Sequence, residues 1–321
     1  MGALLMEVVA LLVGLALLTL GGDGLVRGAV ALAARWGVSP LLAGLVIVGF
    51  GTSSPELVVS LQAALGQSPD IALGNVIGSN IANILLILGI CGLILPLTVQ
   101  ANALRRDGLA MVGATLFFLL LVRDGSLGRP DGLMFLVALA AYLVWSYRTE
   151  RVHPEGPEVA LHQAEADSVR PRPQALWLSW LFTLGGLALL LVGARLFLWG
   201  AVAVGEWLGI PQALIGLTLV AVGTSLPELA VSLIAVLRRE ADVAVGNILG
   251  SNIFNILAIL GVSSMVQPLP LAGRLLAVDQ WVMLAAALAL VLFLLTGRRL
   301  NRFEAAALLG GYVVYVAFMA M

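Results

Sequence analysis

Charge is scarce in this chain. Acidic and basic residues occupy 11% of 321 positions, lysine is absent so that every basic residue is an arginine, and there are one cysteine and two histidines. The lone Cys91 sits in an apolar run, which excludes a disulfide framework and a thiolate metal centre. His153 and His162 lie apart in a polar segment, where they decorate a solvated loop rather than bind a metal. A net charge of −1 points neither to nucleic acid nor to an acidic surface. The arginine bias by itself carries no functional reading.

Apolar residues fill the space that charge leaves. They make up 61% of the chain, against about 45–50% in a soluble domain, and the mean hydropathy is +1.06. The apolar runs lack the alternation of barrel strands and reach the roughly 20 residues that a helix needs to cross about 30 Å of hydrocarbon. The sequence therefore reads as an all-α integral membrane protein. Its first apolar run has no basic leader and carries Glu7, so it is expected to be a first span rather than a cleaved signal.

Candidate spans run over 3–35, 39–66, 70–96, 103–122 and 131–148, then over 175–207, 211–238, 242–267, 277–296 and 302–320. The first contains GGDG at 21–24 and is either one long tilted helix or two pieces bent at the glycines. Residues 150–174 turn polar, charged and proline-containing, as a linker outside the membrane does. The two sides of that linker match. Gly51 and Gly223, Glu56 and Glu228, Asp70 and Asp242, and Asn83 and Asn255 are all separated by one and the same sequence offset, the mark of a duplicated unit.

Five spans per copy is an odd number, so the second copy enters the membrane upside down. The expected architecture is ten transmembrane helices arranged as two inverted five-helix repeats, 1–149 and 175–321, joined by a cytoplasmic linker at 150–174. Placing both termini outside puts Arg105, Arg106, Arg148, Arg151, Arg238 and Arg239 on the cytoplasmic side and leaves Arg123, Arg129 and Arg274 outside, the asymmetry expected in a cell inner (plasma) membrane.

A carboxylate at the bilayer centre costs at least about 2.5–3.5 kcal/mol, so such acids usually face a cavity and have a function. Glu56 and Glu228 are the deepest. Glu7, Asp23, Glu206 and Asp279 fall nearer span ends or a glycine break, where solvated or structural roles are expected, and Asp23 is spaced for an i, i+4 ion pair with Arg27. Pro55 and Pro227 each lack an N–H and clash with the carbonyl four residues back, which predicts broken helices 2 and 7 beside the glutamates. Broken backbone at this depth lines a cavity, and its freed carbonyls can coordinate a cation.

Thr52, Glu56 and Ser60 share one helical face by spacing, and Asn75, Ser79 and Asn83 share another. Thr224, Glu228, Ser232, Asn247, Ser251 and Asn255 repeat both stripes. Together they compose an oxygen-rich cage without soft ligands, suited to a hard cation such as Ca²⁺. The G-x-x-x-G spacings at Gly74–Gly78 and Gly246–Gly250 are assigned to close helix packing. For Asn75, Asn80, Asn247 and Asn252, support of the fold and contact with an ion both stay open.

In GTSSPE at 51–56 with GNVIGSNIANIL at 74–85, and GTSLPE at 223–228 with GNILGSNIFNIL at 246–257, the chain resembles the cation/calcium exchanger superfamily, especially prokaryotic sodium/calcium exchangers. The resemblance implies a secondary antiporter that exchanges Ca²⁺ for Na⁺ by alternating access, with no cofactor. Glu56 and Glu228 would hold Ca²⁺ with the carbonyls of Thr52 and Thr224. Ser53, Ser79, Asn83, Ser225, Ser251 and Asn255 would complete Na⁺ sites, with carbonyls near Gly49 and Ala221. The long first and sixth spans would slide as a pair. Several exchangers carry Asp where this chain has Asn255, which leaves Na⁺ or H⁺ open as the counter-ion. A channel is disfavoured by the broken inverted repeats, and an intramembrane hydrolase by the lack of a nucleophile, base and orienter set.

Overall fold

In hydrocarbon each backbone N–H and C=O must be satisfied within its own segment, so long apolar runs fold as helices. A computed structural model describes residues 2–38, 40–66, 69–98, 101–151, 175–208, 223–297 and 299–319. Its first half contains α1 (Gly2–Trp36), α2 (Gly44–Thr52), α3 (Ser54–Leu65), α4 (Pro69–Ile94), α5 (Ala101–Leu121) and α6 (Arg129–Arg151). The second half contains α7 (Leu176–Trp207), α8 (Leu226–Leu237), α9 (Ala241–Val266), α10 (Leu275–Leu295) and α11 (Arg302–Met319).

Seven of these helices are long and apolar enough to cross a membrane, and α2 with α3, bent by 46°, makes an eighth. The 21-residue α5 stands apart because its first two turns carry Arg105, Arg106 and Asp107. Much of the span expected at 211–238 lies outside the described residues, as does nearly all of the 150–174 linker with its two histidines.

α1 runs unbroken through GGDG. Its 35 residues extend about 50 Å at 1.5 Å each, more than the bilayer core, as a tilted span requires. It packs lengthwise on α7, and the glycines show how close. A Cβ on Gly200 would lie 2.6 Å from the Glu7 carbonyl oxygen, one on Gly193 2.8 Å from the Leu18 amide, and one on Gly186 2.7 Å from the Gly21 carbonyl oxygen. As numbers rise along α1 they fall along α7, so the two helices are antiparallel. Gly186→Ala should cost about 1–3 kcal/mol by overpacking and lower the melting temperature in detergent. Gly185→Ala, at a position with open space within 4 Å, should leave it unchanged.

α4 and α9 form the centre. Of the apolar stretch that marks each span, 94% of α9 and 72% of α4 is buried, against 28% of α1, 22% of α7 and 11% of α11. The halves interlock around them: α6 packs on α9, and α11 packs on α4. Two short antiparallel clasps reinforce the exchange. β1 (Leu97–Thr98) pairs with β4 (Arg299–Leu300), and β2 (Ser126–Leu127) pairs with β3 (Leu269–Pro270).

Candidate functional site

Proline sets the local geometry. Helix α2 ends at Thr52, Ser53 takes a non-helical turn (φ −78°, ψ 7°), and α3 restarts with Pro55 in its first turn, where a missing N–H costs no hydrogen bond. Ser225 repeats the turn (φ −90°, ψ 11°) before α8 and Pro227. Each restart carries its glutamate in the first turn, where the positive end of the helix dipole favours a carboxylate. The break also splits the stripe expected on one face: Thr52 belongs to α2, while Glu56 and Ser60 belong to α3.

A serine at such a break normally caps its own helix. Here the two serines cross over instead. The Ser53 hydroxyl donates to Glu228 Oε1 at 3.0 Å, and the Ser225 hydroxyl donates to Glu56 Oε1 at 3.3 Å. Each glutamate is thus reached by the opposite motif. Both are fully buried, and among the described residues neither has an arginine partner.

Asparagines brace the breaks. Asn75 Nδ2 donates to the Glu56 carbonyl (3.2 Å) and to Ser60 Oγ (2.9 Å), and Asn247 Nδ2 makes the same pair of bonds to Glu228 and Ser232. Thr52 Oγ1 lies 3.1 Å from Asn247 Oδ1 and 3.3 Å from the Gly49 carbonyl oxygen, and Thr224 Oγ1 lies 3.5 Å from Asn75 Oδ1. Ser251 Oγ stands 3.2 Å from the Gly49 carbonyl oxygen and 3.5 Å from Glu228 Oε1. Its counterpart Ser79 is likewise buried. The Ala221 carbonyl lies outside the described residues.

π-Helical turns begin at Asn83 and at Asn255, where α4 and α9 face each other. Asn83 Nδ2 donates to Asn252 Oδ1 and Asn255 Nδ2 donates to Asn80 Oδ1, both at 3.2 Å. Their remaining oxygens have no partner among the described residues. Among the described residues, Glu56 Oε2, Glu228 Oε2, Asn83 Oδ1 and Asn255 Oδ1 are all buried without a hydrogen-bond partner, a state that costs about 1–3 kcal/mol per group and more for a charged one. Two carboxylate and two amide oxygens, with the hydroxyls of Ser53, Ser225 and Ser251 beside the carboxylates, can replace the water of a hard cation. Among the described residues, three or more His, Cys, Asp or Glu side chains do not cluster.

Two further polar groups are structural. Asp107 accepts from Arg106 at 2.7 Å and from Tyr142 at 3.0 Å, and Asp279 accepts from Arg274 at 3.2 Å and from Tyr315 at 3.1 Å. Sequence reading passes over Asp107, although it stands at the repeat offset from Asp279. Asp23 pairs with Arg27 as expected, at 2.9 Å, and also with Arg238 at the end of α8.

Over residues 6–148 and 178–321 the chain matches the family model described as sodium/calcium exchanger protein. The putative antiporter CaxA of Alkalimonas amylolytica is 41% identical over 316 residues, which cover 97% of this chain and 98% of the relative. The sodium/calcium exchanger MaX1 of Methanosarcina acetivorans is 34% identical over 342 residues, covering 97% of each. Among solved structures, the sodium-calcium exchanger NCX_Mj soaked with Na⁺ and Sr²⁺ aligns with a TM-score of 0.83 at 32% identity, covering 98% of both chains.

Proposed function

This chain belongs to the sodium/calcium exchanger protein family, multi-pass membrane transporters of ions rather than enzymes, and we propose that it exchanges Ca²⁺ for Na⁺ by alternating access. The observation that carries the reading is the set of four buried oxygens on Glu56, Glu228, Asn83 and Asn255 that have no partner among the described residues. A protein that buries such groups without protein partners has a use for them. Two carboxylates without an arginine balance one divalent cation. Ca²⁺ binds between Glu56 and Glu228 beside Thr52 and Thr224, and Na⁺ uses Ser53, Ser79, Asn83, Ser225, Ser251 and Asn255.

The same proposal assigns ten spans in two inverted repeats, 1–149 and 175–321, with a cytoplasmic linker at 150–174 and both termini outside the cell membrane. Antiparallel packing of α1 on α7 supports it, as do side-chain contacts that recur between equivalent positions of the two halves. α1 and α7 then move together past the central helices, breaking and remaking the contact of Asp23 with Arg238.

A second reading, H⁺ in place of Na⁺, draws on Asn at both 83 and 255, because two protons also neutralise two glutamates. Liposome transport separates the two. An imposed Na⁺ gradient should drive saturable Ca²⁺ uptake at constant pH, while a pH gradient without Na⁺ should not. The converse result assigns proton coupling, and Ca²⁺ flux that ignores both gradients refutes antiport.

A further inference from the structure

Two methionine sulfurs end the amide chains at the site. Met111 on α5 and Met283 on α10 are buried and occupy equivalent positions of the two repeats, at the offset that relates Glu56 to Glu228. Asn252 Nδ2 points at Met111 Sδ at 3.6 Å, and Asn80 Nδ2 points at Met283 Sδ at 3.6 Å. Each chain therefore runs one way. The Asn83 amide donates to Asn252, Asn252 donates to Met111, and Asn83 Oδ1 is left over; Asn255, Asn80 and Met283 repeat the order.

An amide group has nearly the same shape when flipped, so packing alone does not decide which end faces the cage. Hydrogen bonding does. A thioether sulfur accepts and never donates, so it holds the NH₂ end of Asn252 and turns that residue's oxygen toward Asn83. Asn83 must then present its own NH₂ to Asn252 and its oxygen to the ions. Were Asn252 reversed, its oxygen would meet sulfur with no proton between them, and the donor end of Asn83 would be turned toward a cation. We propose that Met111 and Met283 are positioning residues that set the polarity of these chains and keep the Asn83 and Asn255 oxygens directed at the transported ion. The inference rests on the site proposed above.

Leucine fills a similar volume without an acceptor, and glutamine has the length of methionine with an acceptor restored. Transport in liposomes and Ca²⁺-induced thermal shift of the full-length protein distinguish the roles. Met111→Leu and Met283→Leu should each raise the Ca²⁺ KM roughly three- to ten-fold, with kcat near wild type and the cation-free melting temperature lowered by the amide left without its acceptor. The double variant should lose more. Met111→Gln should recover the wild-type KM while melting lower, because its own NH₂ is buried without a partner. A gap-filling methionine predicts instead that Leu leaves affinity untouched. Wild-type KM in Met111→Leu, or a Gln variant that fails to restore it, overturns the proposal alone. Absence of saturable Ca²⁺ binding in the wild type overturns the site and this inference with it.

Discussion

Glu56→Gln and Glu228→Gln should each abolish Ca²⁺ exchange and at the same time stabilise the cation-free protein. Both glutamates are fully buried, with one oxygen accepting a hydrogen bond from a serine of the opposite motif and the other without a partner among the described residues. A buried carboxylate without a counter-charge costs several kcal/mol, and glutamine keeps the shape while removing the charge. Without Ca²⁺ the variants should gain about 1–3 kcal/mol, seen as a higher melting temperature in chelator. Ca²⁺ should then raise their melting temperature little or not at all, whereas it should raise that of the wild type by mass action. Uptake driven by the counter-ion should fall at least about 100-fold. Retained exchange, or lower stability in chelator, would mean that the glutamates are part of a satisfied structural network.

Such a stability and activity trade-off is what makes the glutamates legible in sequence. An acid deep in an apolar run contradicts its surroundings, and its repetition at the matching position of the second half removes chance as an account. The helices are legible for a related reason, since hydrocarbon permits few other backbone states. The behaviour of α1 at GGDG is harder to read. Glycines permit a bend in an isolated segment, but here Gly21 and Gly24 lie against Gly186 of α7 and serve close approach. That depends on a partner in the other half of the chain. The two-residue clasps are too short to leave any period in the sequence.

Within the site, residue types are legible and partnerships are not. Ser53 sits three positions from Glu56 yet serves Glu228, and Ser225 serves Glu56. An ideal helix would align Thr52 with Glu56, whereas the turn at Ser53 sends Thr52 toward Asn247. The open question about Asn75 and Asn247 resolves in the geometry toward bracing, because their NH₂ groups hold the glutamate carbonyls. Met111 and Met283 give no contrast among apolar neighbours. Only the shared offset singles them out.

Asn83→Leu and Asn255→Leu test whether those amides are ion ligands or glue between α4 and α9. Each substitution removes one unpartnered oxygen, which favours the folded state, and leaves the facing Asn252 or Asn80 oxygen without its donor, which opposes it. The two terms are each about 1–3 kcal/mol, so the melting temperature should change little. The Ca²⁺ KM should rise more than about ten-fold, and Asn83→Leu with Asn255→Leu should eliminate uptake. Glue predicts the reverse: lost stability at unchanged affinity. Asn255→Asp completes the test by keeping an oxygen in place and adding a third negative charge. It should retain Ca²⁺ binding without a further ion, while the counter-ion-loaded state takes one more monovalent ion to neutralise the extra carboxylate. The charge moved per Ca²⁺ then changes, and with it the membrane potential at which net uptake in liposomes falls to zero. A potential identical to that of the wild type would place residue 255 outside the transported charge.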